Sequence, residues 1–228
     1  MPGKYLYRFL QEKYLFEFLS KKAIWFSRAD RFDDKMECAL LTEIVGRYSH
    51  DEIVERQQKH LISCWHLASH ESYALWNSYA KLSNERRVAA IRFKRADLVR
   101  SVEESIFRND IFHYTRHFIH GSIKYMDLLE PAAASIRQNL VKYPAFRMEQ
   151  AFSFENEYRF VVRLTKPHKD GGFLYGLVTN LPLLHFQVIL NPLLDKGEYQ
   201  RLKDKLTANG YGQYWTETEL RRWLHPNG

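Results

Sequence analysis

The stretch "SFENEYRFVV", residues 153–162, decides how the chain is read. Its aromatic and apolar residues alternate as in a buried strand, yet it opens with two carboxylates one residue apart, Glu155 and Glu157. Residues two apart in a strand face the same side, so the alternation predicts Glu155 and Glu157 beside Arg159 and Val161, with Tyr158 and Phe160 on the opposite face. Two adjacent carboxylates repel unless a cation or hydrogen-bond donor lies between them. Their pKa values are driven apart, which suits one to proton transfer and the other to stabilising a developing positive charge. The structural alternative is a solvated strand end in which Glu157 pairs with Arg159.

Working outward, the first residues read as strand, helix, strand: "KYLYRFL", then "QEKYLFEFLSKK" with apolar residues at helical spacing, then "AIWFS". "RADRFDDKME" is charged and turn-like, and "SHDEIVERQQKH" is a helix for which Ser49 is the N-cap candidate. "LISCWHL" has strand length. In "SHESYALWNSYAKL", Tyr73, Trp76, Tyr79 and Ala80 share a helical face, and in "RADLVRSVEESIF" Leu98, Val102 and Ile106 recur every four residues.

"RRVAAIRFK" and "HGSIKYMDL" read as strands, and "EPAAASIRQNLVKY" as a helix with Pro131 in its first turn. "AFRMEQAFSF" connects into the opening stretch, which continues as the strand "ENEYRFVVRL". "KPHKDGG" is a turn, "LLHFQVIL" a strand, and "DKGEYQRLKDKLTANG" a helix stopped by Gly210. This irregular alternation predicts one mixed α+β domain over residues 1–228 rather than a doubly wound sheet or a barrel.

The chain has 228 residues, with 34 Lys and Arg against 27 Asp and Glu, a formal charge of +7 that favours an anionic partner such as RNA, DNA or a nucleotide. Two cysteines, Cys38 and Cys64, form neither a disulfide framework nor a zinc motif, which fits a cytoplasmic location. Charges at Arg8, Glu12, Lys13 and Glu17 interrupt the N-terminal apolar residues, so no signal peptide or membrane span is expected. The glycine motifs of dinucleotide-binding and P-loop folds are missing, so a nucleotide would have to be held another way.

Other residues carry weaker alternatives. His66 and His70 are four apart, as are His113 and His117, with His120 three later; a metal-dependent hydrolase would use the last three. The strand reading of "CWHLASH" separates His66 from His70, and no metal site is expected. Cys64 beside His66 is a nucleophile candidate without an evident orienting carboxylate, and packs more simply as a small apolar residue. Trp76 and Tyr79 could stack bases in a non-catalytic nucleic-acid-binding module, or line a core.

The order of "KYLYRFL", "AIWFSRADRFDDKMEC", "ISCWHL", "ALWNSYAK", "VAAIRFK", "IKYMD" and "FENEYRFVV" resembles a bacterial family of unknown function catalogued as DUF2971, over roughly residues 4–165. "LYRF", "WFS" and "ENEYRFV" also look like the ordered arginine, serine and E-x-E elements of ADP-ribosyltransferases. That second resemblance implies a split sheet with flanking helices and NAD as substrate. It places Arg8 on the NAD diphosphate or ribose with Tyr7 beside it, and Ser27 bracing the pocket with Trp25. Glu157 becomes the catalytic glutamate, and Glu155 the residue that orients or deprotonates the acceptor. It further implies a toxin or anti-phage effector, acting on nucleic acid or protein and restrained by an antitoxin or regulatory protein.

Overall fold

The computed structural model describes residues 4–33, 37–38, 50–81, 88–108, 115–126, 144–170, 172–176 and 185–224. In chain order they form β1 (Tyr5–Leu10), α1 (Glu12–Lys21), β2 (Ala23–Arg28), a 3-10 turn (Ala29–Arg31), α2 (His50–Gln58), β3 (His60–Ala68), α3 (Tyr73–Lys81), β4 (Ala89–Lys94) and α4 (Arg95–Arg108). There follow β5 (Thr115–Ser122), β6 (Lys124–Met126), a 3-10 turn (Pro144–Phe146), β7 (Arg147–Glu149), a 3-10 helix (Gln150–Glu155), β8 (Glu157–Leu164), β9 (Gly172–Gly176) and β10 (Phe186–Leu190). The last are α5 (Lys196–Ala208), a 3-10 turn (Gly212–Tyr214), β11 (Trp215–Thr216) and α6 (Glu219–Leu224).

Helices and mixed sheet pairing make the chain α+β. The expected Ser49 cap and the helix at Pro131 lie outside the described residues. Among the described residues, no helix is long and apolar enough to cross a membrane.

Two compact units arise, one from Met1–Ala23, Leu67–Ser101 and Gly176–Gly228, the other from Ile24–His66 and Val102–Tyr175. In the first, β1 pairs antiparallel with β4, β4 antiparallel with β10, and β10 parallel with β11. Leu6, Phe93 and Phe186 stand in one cross-strand row, against which α1 sets Phe18, its ring centroid 6.1 Å from Phe93 and 5.5 Å from Phe186. Glu12 fastens α1 to α5 through Arg201 and Lys205, both at 2.7 Å, and the Arg201 guanidinium leads in pulling the Glu12 carboxyl down to about 2.

On the opposite face of β1, Phe9 packs edge-on against Trp76 with centroids 4.7 Å apart, and against Tyr79 at 4.8 Å. Trp76 is fully buried, and burial of a large side chain contributes roughly 1.5–3 kcal/mol. Of the face expected from Tyr73 to Ala80, Trp76 and Tyr79 pack the core together with Leu75, whereas Tyr73 is half exposed. Asp195 caps α5 by accepting the Glu198 N–H at 2.8 Å, and Gly210, at φ 78°, supplies the left-handed conformation beyond its end.

In the second unit β3 pairs with β2 and β8, and β8 with β5, all antiparallel; β9 lies beside β2. A short parallel pair, β6 and β7, stands apart from that sheet. Tyr158 and Phe160 face one side as the alternation predicted, with Trp65 edge-on to Phe160 at 6.4 Å and Phe118 stacked on it at 6.3 Å. Two expectations need correction. "HGSIKYMDL" is not one strand, because β5 ends at Ser122 and β6 begins at Lys124. The strand expected from Glu155 begins at Glu157, since Asn156 adopts φ 41°, ψ 57°, a left-handed conformation that breaks the alternation.

Candidate functional site

Glu157 owes its position to that break. Glu155 closes the 3-10 helix, Asn156 turns the chain with its N–H donating to the Ser153 carbonyl at 3.2 Å, and Glu157 opens β8. The carboxylates therefore flank a turn and do not share a strand face. One Glu157 oxygen accepts from Arg159 Nε at 2.7 Å. Arg159 is 0% exposed, and its Nη1 donates to Glu37 Oε1 at 2.7 Å and to the Ala145 carbonyl at 3.0 Å.

Glu37 also accepts the Cys38 N–H at 3.2 Å, while its carbonyl accepts Gln57 Nε2 at 2.9 Å. Burial alone would lower the Arg159 pKa, but Glu37, Cys64 and Glu157 outweigh it and raise it. Removing one partner of such a buried pair costs roughly 3–5 kcal/mol, because the other charge is left uncompensated. Arg159 thus fixes Glu157 to the core.

Glu155 lacks this neutralisation. Burial first, and the neighbouring Glu157 second, push its carboxyl up to about 7, with Arg159 opposing. Its backbone carbonyl accepts from His66 Nδ1 at 2.6 Å, which requires the Nδ1–H form of the ring. His66 is the cross-strand partner of Glu157, and burial lowers its pKa. Tyr125 accepts the Glu157 N–H at 2.6 Å, and burial leads in pushing its phenol up to about 12. A carboxyl near neutrality, a second held by arginine, a histidine and a phenol are together suited to proton transfer beside a developing charge.

Trp25 and Ser27 share a face of β2, where the 40% exposed indole donates Nε1–H to Ser27 Oγ at 2.8 Å. Ser27 aligns with Ile62, and Ile62 with Val161, so Ser27 lies on the same sheet face as Arg159 and Glu157. Strand spacing separates Ser27 from Glu157 by two strands and four residues, roughly 16 Å. Ile62 and Val161, packed with Ala29, Cys38 and Ala145, occupy the face between them. The structure thus brings together Glu155 with Glu157, and Trp25 with Ser27, but sets the two pairs apart.

Tyr7 and Arg8 belong to the other compact unit. As neighbours in β1 they face opposite sides. Tyr7 is 1% exposed and aligned with Arg92, whereas Arg8, aligned with Ile91, shares the side of Leu6 and Leu10 that packs α1.

The remaining candidates resolve individually. His70 falls beyond the end of β3, and His113 lies outside the described residues. His117 and His120 both lie in β5; His120 Nδ1 is 2.6 Å from the Tyr158 hydroxyl and Nε2 is 3.0 Å from Glu103. Among the described residues, no group of three or more His, Cys, Asp or Glu is placed to hold a metal ion. Cys64 is half buried and packs against the apolar cluster of Ile62 and Val161. The buried Trp76 offers no ring face for stacking a base.

Glu37, Tyr125 and the His66 contact with Glu155 complete the cluster beyond the residues expected from the sequence. The signal for His66 was the alternation in "SCWHL", which sets His66 two residues from Cys64 on one face. No match to this chain is found among protein-family models, curated proteins or solved structures.

Proposed function

We propose that the chain is an NAD-dependent ADP-ribosyltransferase that modifies a macromolecular acceptor, nucleic acid or protein. The observation supporting this reading is the carboxylate pair about Asn156, with Glu157 braced by the buried Arg159 and Glu155 raised to about 7. Displacing nicotinamide builds positive charge on the ribose, which a fixed carboxylate stabilises. Glu157 takes that part. Glu155 accepts the proton of the attacking group, for which a pKa near the working pH is suited.

Trp25 and Ser27 would contact NAD on the exposed side of β2, while Arg8, on the α1 side of β1, is assigned to its diphosphate by the resemblance alone. The reading implies an ADP-ribosyltransferase-like split sheet, and an effector role with a neutralising partner. The test is incubation with labelled NAD and cellular RNA, DNA or protein, with Glu157→Gln alongside. Label transfer with nicotinamide release, lost in the variant, is the expected result. Neither transfer nor release, where a control transferase works, disproves the proposal.

A further inference from the structure

The end of β8 remote from Glu157 gathers positive charge. Arg163 is exposed and shares the sheet face of Glu157 and Arg159 by alternation, roughly 20 Å along the strand from Glu157. It aligns with His60 of β3, a buried ring whose Nδ1–H donates to the Arg56 carbonyl at 2.8 Å. Burial leads in lowering the His60 pKa to about 4, and the charges of Arg163 and Arg56 add to it, so both guanidiniums lie near one ring. Helix α2 sorts its own charges accordingly, with Asp51 and Glu52 in the first turn and Arg56 in the last.

The turn after β8 brings further cations to the same end. The Leu164 N–H donates to the Lys59 carbonyl at 2.7 Å and the His168 N–H to the Gln58 carbonyl at 3.0 Å, which seats Lys166 and Lys169 beside the junction of α2 and β3. Arg28, buried beneath, clamps this turn: Asp30 accepts from its Nε at 2.6 Å and its Nη2 at 2.8 Å, while Nη1 donates to the His168 and Lys169 carbonyls at 2.5 and 3.4 Å. The turn is therefore ordered before any partner arrives, which lowers the entropy lost on binding.

Carboxylates offset only part of this charge. Glu55 pairs with Lys59 at 2.6 Å, Asp30 is taken by Arg28, and Asp170 offsets one charge of the turn. Among the described residues, Arg163, Lys166 and Lys169 form no ion pair, and all three are exposed. Clustered cations of this kind draw a polyanion out of solution.

We propose that this end of β8 and α2 binds the phosphate backbone of a nucleic acid. Cations spread over a surface match repeated phosphates, with the arginine fork taking two oxygens and each lysine acting as a point charge. Among the described residues, the large apolar side chains exposed to solvent lie elsewhere, whereas binding to a membrane surface draws on apolar groups that insert. The surface lies apart from Glu155 and Glu157, and its binding does not depend on transferase chemistry. If the chain transfers ADP-ribose, the surface makes nucleic acid the acceptor, an extension that rests on that reading.

The test is fluorescence anisotropy of labelled RNA and duplex DNA, each about 20 nucleotides long, titrated with the whole chain across a salt series without NAD. Combining Arg163→Gln, Lys166→Gln and Lys169→Gln should weaken binding about 10- to 100-fold and reduce the salt slope by about 2, with the thermal midpoint unchanged because all three side chains are exposed. A second variant, Lys13→Gln with Lys94→Gln and Lys196→Gln, removes the same charge from exposed positions of the other compact unit and should bind nearly as the unaltered protein does.

Binding of RNA, of DNA or of both, with loss confined to the first variant, supports the surface. Equal weakening in the two variants reduces the effect to net charge and overturns it. So does the absence of saturable binding to either nucleic acid, or binding to phosphatidylserine vesicles alone. The readout is binding without NAD, so its failure is separable from failure of the transferase proposal.

Discussion

Glu155 illustrates how a single torsion sets the chemistry of a side chain. Asn156 turns Glu155 off the strand line, away from the arginine that grips Glu157, and burial then raises its carboxyl from the ordinary 4.5 to about 7. Between those values the folded chain binds more protons than the unfolded one, so stability falls as pH rises through the window and is level above it. The full shift corresponds to about 3 kcal/mol, and screening of a partly exposed group reduces this to about 1–2 kcal/mol. Glu155→Gln should therefore match the unaltered protein near pH 4.5 and exceed its stability by about 1–2 kcal/mol at pH 8. Urea unfolding at the two pH values reads the difference, and a difference that does not grow with pH refutes the shift.

At the scale of elements, the approach of β9 to β2 depends on a missing side chain. A Cβ at Gly172 would stand 2.4 Å from the Phe26 carbonyl oxygen and 2.6 Å from the Trp25 ring. Backbone cannot yield as a flexible side chain can, so Gly172→Ala should force the strands apart at a cost of about 1–3 kcal/mol. A lowered thermal midpoint with altered Trp25 fluorescence is expected; an unchanged midpoint argues against the close approach.

The elements themselves were legible where period and punctuation agree: α1 from its apolar spacing, α5 from its stop at Gly210, and β8 from Tyr158 and Phe160. What a period cannot carry is a lone left-handed residue, and Asn156 shifts the strand start past Glu155. Nor can it place Glu37 against Arg159, 122 residues away in the chain. Glu157 was legible as a charged residue on the Arg159 face. The tertiary contacts that fix it depend on folding, and the Tyr125 and His66 contacts are of the same kind.

For the molecule as a whole, the formal charge of +7 bears on the acceptor. A positive excess raises the local concentration of polyanions, and each phosphate neutralised on binding releases condensed counter-ions. If the chain has the proposed transferase activity and acts on RNA or DNA, acceptor affinity must then fall linearly on logarithmic axes as salt rises. An acceptor held through about three duplex phosphates loses roughly fortyfold between about 50 and 200 mM salt, from a slope near 0.9 per phosphate.

A protein acceptor has no such condensed layer and does not impose that slope. Initial rates of label transfer, taken below saturation of the acceptor and at saturating NAD, follow this dependence when compared across a salt series. Nicotinamide release without acceptor, run in parallel, separates weakened acceptor binding from salt inhibition of the site. Transfer to nucleic acid that stays level with salt would mean that the positive excess does not hold the acceptor.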